Sequence, residues 1–249
     1  MNNVASVKDR LKNKSIATGK TVQELLTAYG LERTIFRLSK SQYASNFTLK
    51  GGIFLYAVFN GNYSRATTDI DLLAQKISND VEDMKAVFTD VFSLDVDDPL
   101  RFDLDSLDVR PITEFKDYHG VNVSIIAYLD RTRIPISIDI GFGDVIVPER
   151  VMMDFPVILS DENPHVYVYS LCSSVAEKFE AIVSLAYDNS RFKDYYDLYV
   201  LATTHDFNGD EIVEAVRETF ENRHSSLNEI VVFFANPFWR KLQNIFGGC

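Results

Sequence analysis

Two glycines and three aspartates are the residues of this 249-residue chain whose types and spacing suit chemistry. Gly51 and Gly52 follow a short β-like run, Phe47 to Lys50, and precede an apolar segment, Ile53 to Phe59. Glycine lets backbone come close to a ligand, and the amides that open a helix carry a positive partial charge suited to phosphate. A second strand signal opens with Asp69-Ile70-Asp71. Side chains alternate along a strand, so Asp69 and Asp71 project from one face. Paired hard oxygen ligands beside a phosphate cradle point to Mg²⁺-assisted phosphoryl or nucleotidyl transfer.

The third carboxylate comes from a later strand signal. Ile134, Ile136, Ile138 and Ile140 alternate cleanly and define one face, which forces Ser137 and Asp139 onto the other. Alternation alone leaves Asp139 either a ligand or an exposed aspartate on a half-buried strand. If the three carboxylates meet, their repulsion favours cation binding and raises one pKa in the absence of metal.

The elements that must position these residues alternate between helix and strand, which predicts an α/β core. Val4, Val7 and Leu11 recur at helical spacing, and Thr21 with Glu24 forms a capping box before Val22, Leu25, Leu26 and Tyr29. Asn79 with Glu82 predicts a helix running toward Phe92, and Val121, Val123 and Ile125 predict a strand. The aspartate-rich segment DVDDPLRFDLDSLD lacks the glycine and terminal glutamate of an EF-hand and is expected to be a solvated loop. Gly141 and Gly143 predict a turn after Asp139, and Pro148 to Pro164 reads as a connector with a short extended piece, VMMDFPVIL.

The C-terminal third is expected to be helical. Ser174 and Glu177 match a capping box, and Val175, Phe179, Ile182 and Ala186 make an apolar stripe bordered by Lys178. A border lysine ordinarily snorkels from a packed face. Asp194 and Asp197 share a helix face, and Lys193 stands four residues before Asp197. A surface pair at that spacing contributes only about 0.3–0.5 kcal/mol. Asn208 with Glu211 caps a further helix through Phe220, and Asn236-Pro237 suits the start of PFWRKLQNIF.

Gly-Gly opening a helix, followed by an Asp-x-Asp strand, resembles the nucleotidyltransferase superfamily. The segments LKGG, RATTDIDLL, EKFEA and SRFKDYYDL narrow the resemblance to the AbiEii/AbiGii toxin family of abortive-infection, type IV toxin–antitoxin systems, over roughly residues 20 to 220. That resemblance implies a nucleotidyltransferase-like α/β (α+β) fold, a mixed β-sheet with flanking helices and a C-terminal helical lobe. Residues 1–45 would form N-terminal helices packing on the core, 46–164 the core, and 165–249 the lobe. It implies Mg²⁺, or Mn²⁺, on Asp69, Asp71 and Asp139, with Lys178 and Asp194 joining the catalytic set. Lys50, Gly51, Gly52, Arg65, Thr68, Lys193 and Asp197 would bind the nucleotide, with Ser64 and Thr67 as further hydroxyl donors. The expected activity is transfer of a nucleotide from an NTP to an acceptor such as RNA, tRNA included, by a toxin with an antitoxin partner encoded nearby. A non-catalytic nucleotide-binding regulatory module and a small-molecule nucleotidyltransferase are the alternatives.

Composition narrows the setting. The net charge of −11 argues against indiscriminate binding to nucleic-acid backbone, which relies on clustered Lys and Arg, while leaving room for a local basic groove. No stretch approaches the roughly 20 apolar residues of a membrane span, and the polar N-terminus lacks a signal-peptide core, so a cytoplasmic location is expected. Cys172 and Cys249 make no disulfide framework or zinc spacing and are read as free thiols.

Overall fold

The structure is a computed structural model that describes residues 3–112, 120–159, 162–185 and 192–226. The chain divides into two compact units: Met1–Gly143 with Val151–Val168, and Asp144–Arg150 with Tyr169–Cys249. Unit 1 opens with helices α1 (Val4–Thr18) and α2 (Val22–Lys40), then strand β1 (Phe47–Lys50), helix α3 (Gly51–Val58), strand β2 (Ile70–Ala74) and helix α4 (Val81–Ser93). Strands β3 (Leu100–Ile112), β4 (Gly120–Leu129), β5 (Thr132–Phe142), β6 (Val151–Asp154) and β7 (His165–Val168) complete it. Together the strands form one mixed sheet in the order β3-β4-β5-β2-β1-β7-β6. β2 runs parallel to β5 and β1 parallel to β7, and the other neighbours are antiparallel.

Alternation fixes which face of the central strands is buried. Ile134, Ile136, Ile138 and Ile140 are all almost fully buried, and so are Val121, Val123 and Ile125 of β4. α2 lies directly on β5: a Cβ added at Gly30 would stand 2.8 Å from both Ile134 Cγ2 and Ile136 Cδ1. The Thr21–Glu24 capping box starts α2 as its sequence predicts. The cap of α4 is Asp80 rather than Asn79, with its carboxylate accepting from the Glu82 and Asp83 amides. A charged acceptor one residue later serves the same orphan amides.

The aspartate-rich segment is not the expected loop. From Leu100 onward it is strand β3, with Leu100, Phe102, Leu107 and Val109 buried. Asp103 faces Ile126 and Asp108 faces Ser124, so Leu104 to Leu107 stand opposite Ile125 alone in a bulge. The bulge switches the buried side from even to odd positions, which erases a period-two signal in the sequence. Phe102 stacks on Phe92 of α4 with centroids 4.8 Å apart. Just before β3, Asp98 receives Arg33 Nε at 2.9 Å and Arg37 Nη1 at 2.7 Å, tying α2 to the strand's start. The connector expected over 148–164 holds β6, and β7 follows it as a strand that its four-residue length concealed.

Unit 2 contains α5 (Leu171–Leu185), α6 (Phe192–Thr204) and α7 (Gly209–Asn222). α5 begins earlier than the Ser174–Glu177 pattern predicts. Ser170 precedes it and its hydroxyl accepts from the Ser173 amide at 3.0 Å, whereas Ser173 and Ser174 are buried within the helix. Asn208 caps α7 as expected. Cys172 is a buried free thiol packed with Ala176 and Ala215. Ala186, Arg191, Asn236, Pro237 and Cys249 lie outside the described residues. No helix among the described residues is long and apolar enough to cross a membrane.

Glu32 of α2 is a carboxyl whose burial disfavours its charged form. Glu32 is 1% exposed; its Oε2 accepts from the Ile158 amide at 2.5 Å, while Oε1 has no hydrogen-bond partner. Burial pushes its carboxyl from 4.5 up to about 7, against the Ile158 amide and the charges of Arg33 and Lys14, which favour ionisation. The folded state therefore holds this proton more tightly than the unfolded chain, and the contribution to stability present below about pH 4.5 is lost as pH rises through about 7. Thermal melting between pH 4.5 and 7.5 should show this loss, and Glu32→Gln, which cannot ionise, should flatten that part of the profile.

Candidate active site

The central residues of the site stand in one row across the sheet. Pairing places Lys50 opposite Asp71, Asp71 beside Asp139, and Asp139 opposite Asn122, on β1, β2, β5 and β4 in turn. Residues in register across adjacent strands share a face. The flanking Leu49, Leu72, Ile138, Ile140, Val121 and Val123 are buried on the other face, so the core fixes the direction of the polar row.

At one end of this row β1 runs straight into α3. Lys50 occupies the N-cap position with extended backbone and no side-chain cap, and Gly51 has φ +61°. Asp71 does the capping from the neighbouring strand, its Oδ2 accepting from the Gly52 amide at 3.3 Å. A Cβ at Gly51 would lie 2.0 Å from that same oxygen, so glycine is required both for the left-handed backbone and for the carboxylate's place. At Gly52 an added Cβ would meet the Arg65 guanidinium at 3.1 Å and Thr67 Oγ1 at 3.2 Å. Thr67 Oγ1 is buried and makes no hydrogen bond. A guanidinium, an orphaned hydroxyl and a helix N-terminus thus meet beside a residue without a side chain.

Asp69 immediately precedes β2 and acts on Asp71 through charge. Burial pushes the Asp71 carboxyl above its usual range, and the negative charges of Asp69 and Asp139 push it further. Lys50 and the Gly52 amide oppose the shift. Asp139 is held from its other side, where Asn122 Nδ2 donates to its Oδ1 at 2.6 Å and to Ser137 Oγ at 2.9 Å. Among the described residues, no three or more His, Cys, Asp or Glu side chains close around a point that a metal ion could occupy. Asp71 and Asp139 each have one oxygen engaged elsewhere, Asp71 Oδ2 on the Gly52 amide and Asp139 Oδ1 on Asn122. The donor chemistry still suits a hard divalent cation: adjacent carboxylates, with the ionisation of one opposed by the other two.

Thr68 and Ser64 are exposed in the segment between α3 and β2. No chemical motif in the sequence marks Asn122, although the alternation of Val121 and Val123 sets it on the face of Asp139.

The remaining expected residues lie in unit 2. Lys178 does not snorkel from the edge of a stripe; it is buried, with Nζ 2.7 Å from Asp197 Oδ2 and 3.2 Å from Asp194 Oδ1. α5 buries Cys172, Ala176, Lys178, Glu180, Ile182 and Val183, so its inward face is mixed rather than apolar. Asp197 therefore pairs with Lys178 of α5, and Lys193, one helical turn away, is exposed. A second cluster joins α5 to α7: Arg223 reaches Asp144 at 3.0 Å, Glu177 at 3.1 Å and Glu180 at 2.9 Å.

A mixed sheet carrying a strand-Gly-Gly-helix unit, with carboxylates on the adjoining strands, defines a nucleotidyltransferase-like fold. The profile of the family described as nucleotidyl transferase AbiEii toxin, type IV TA system, matches residues 33–243, and the chain belongs to that family. It is similar in fold to JHP933 from Helicobacter pylori, at TM-score 0.50 and 15% identity over 87% of this chain and 83% of that one. A candidate nucleotidyltransferase of H. pylori matches at TM-score 0.45 and 16% identity, over 82% and 80% of the two chains. No curated protein matches significantly. Family membership makes the chain a nucleotidyl transferase and implies an NTP substrate and an antitoxin partner.

Removing the lysine from unit 2 would take a buried positive charge away from the buried carboxylates of Asp194 and Asp197. Lys178→Met should therefore destabilise the protein by about 3–5 kcal/mol. A melting temperature equal to that of the unmodified chain would show that the lysine is an ordinary snorkelling residue.

Proposed function

We propose that the protein transfers a nucleotide from an NTP to an RNA acceptor, tRNA among the candidates, with Asp69, Asp71 and Asp139 holding Mg²⁺ or Mn²⁺. The observation that carries this reading is the in-register pair Asp71–Asp139 beside the Gly51-Gly52 helix start. Held at these carboxylates, a divalent cation would supply positive charge to the phosphate oxygens and to the departing pyrophosphate.

The chain's own residues supply binding and orientation. The opening amides of α3 and the Arg65 guanidinium carry positive charge suited to triphosphate oxygens, and Lys50 adds a further cation. Thr67 Oγ1, buried without a partner, has a donor to offer beside Gly52, and the exposed Thr68 hydroxyl is a second. An acceptor hydroxyl attacks the α-phosphorus of the NTP and gives up its proton to solvent; a new P–O bond forms, the bond between the α-phosphorus and the bridging oxygen to the β-phosphate breaks, and pyrophosphate leaves. Lys178 and Asp194 are assigned to turnover, and Lys193 and Asp197 to the nucleotide, on the family resemblance. The buried pairing adds a physical role, since Asp194 and Asp197 hold Lys178 in one geometry.

Incubation with each labelled NTP, total cellular RNA and Mg²⁺, followed by mass determination of the RNA, tests the reaction. An RNA product heavier by one or more nucleotides should form with stoichiometric pyrophosphate. Chelation of the metal should abolish it, and Asp71→Asn should reduce it to background while the protein remains folded. Undiminished product from folded Asp71→Asn would remove the carboxylate row from the reaction. Nucleotide binding without any product would make the protein a binding module.

A further inference from the structure

We propose that Asn122 is a positioning residue for Asp139: from β4 it holds one carboxylate oxygen and leaves the other available to the cation. This inference rests on the metal-site reading above and extends it to a residue on a strand that contributes no ligand.

Asn122 faces Asp139 directly in the antiparallel pairing of β4 and β5. Its Nδ2 donates to Asp139 Oδ1 at 2.6 Å and to Ser137 Oγ at 2.9 Å. An amide nitrogen carries two hydrogens, so both bonds form together and both go to the same face of β5. The terminal torsion of an aspartate is broad and two-fold when nothing restrains it. The Asn122 bond removes that freedom. β5 lies between β4 and β2, so an oxygen engaged from the β4 side leaves Oδ2 as the oxygen for the side on which Asp71 stands.

The residue type fits the task. A neutral amide donates without adding a positive charge that would compete with a metal, and without the repulsion that another carboxylate would bring beside Asp71 and Asp139. Val121 and Val123, 1% and 0% exposed, lock the phase of β4 and keep Asn122 on this face. Hydrogen-bond partners of ligating carboxylates orient them, and removing such a partner typically weakens metal binding about 10- to 100-fold.

The test uses the full chain with Mn²⁺ alone as the probe, free Mn²⁺ being followed by its electron paramagnetic resonance signal, and thermal melting on the same preparations. Asn122→Ala removes the donor by truncation, and Asn122→Leu removes it while keeping four side-chain heavy atoms branched at Cγ, so a packing defect in one does not decide the outcome. Asp139→Asn reports on the site itself. The proposal expects the Mn²⁺ Kd to rise about 10- to 100-fold in both Asn122 variants and at least as much in Asp139→Asn. Unchanged affinity in a folded Asn122 variant, with Asp139→Asn weakened, overturns the positioning role and leaves the metal site standing; a lower melting temperature with unchanged affinity has the same meaning. Unchanged affinity in Asp139→Asn overturns the metal site and this inference together.

Discussion

Asp71 can occupy its place only because residue 51 has no side chain. The carboxylate fills the volume that a Cβ would take, and it accepts from the next amide at the head of α3. This contact sets the end of β1, the left-handed turn at Gly51 and the start of the helix in one step. It also brings a negative charge to the positive end of a short helix, where a charge of that sign is favoured. Burial and the neighbouring Asp69 and Asp139 work against the ionised form, so the carboxylate is held between opposing influences. A divalent cation would relieve the repulsion, and the helix amides not taken by Asp71 would remain for phosphate.

The sheet supplies the precision. Lys50, Asp71, Asp139 and Asn122 belong to four different strands, yet they are neighbours because the register of each pair is fixed by the apolar side chains behind them. A one-residue slip in any strand would exchange core for site. α2 secures that arrangement by seating Gly30 on Ile134 and Ile136, and by anchoring the approach to β3 through Asp98. Unit 2 is organised differently. It is tied together by ion pairs, the buried Lys178 with Asp194 and Asp197, and the half-buried Arg223 with Asp144, Glu177 and Glu180. Such pairs contribute little net stability against apolar packing but are costly to break singly, which favours one arrangement of the helices over others.

Much of this was legible where local patterns and tertiary demands agree. The isoleucine ladder of β5 marks its own buried face and sets Asp139 on the other, while its place in the site came from the family resemblance. Gly51-Gly52 and Asp69-Ile70-Asp71 announced a strand-helix junction and a polar strand end. Legibility failed where a residue's setting depends on a distant partner. The bulge in β3 shifted its alternation and let a strand pass for a loop. Ser174 matched a cap pattern while Ser170 held the position. Lys178 looked like an edge residue because the carboxylates that bury it belong to α6, and Asn122 was passed over because its significance lies in Asp139 across the strand pair.

The central claim, that the Asp71–Asp139 pair beside Gly51-Gly52 is where metal and nucleotide meet, is tested most directly by anomalous scattering from crystals of the full chain grown with Mn²⁺ and a non-hydrolysable nucleoside triphosphate. The account predicts a manganese peak at the Asp71 and Asp139 carboxylates, with triphosphate at the start of α3. Manganese and triphosphate bound elsewhere, with Asp71 and Asp139 left uncoordinated, would contradict it.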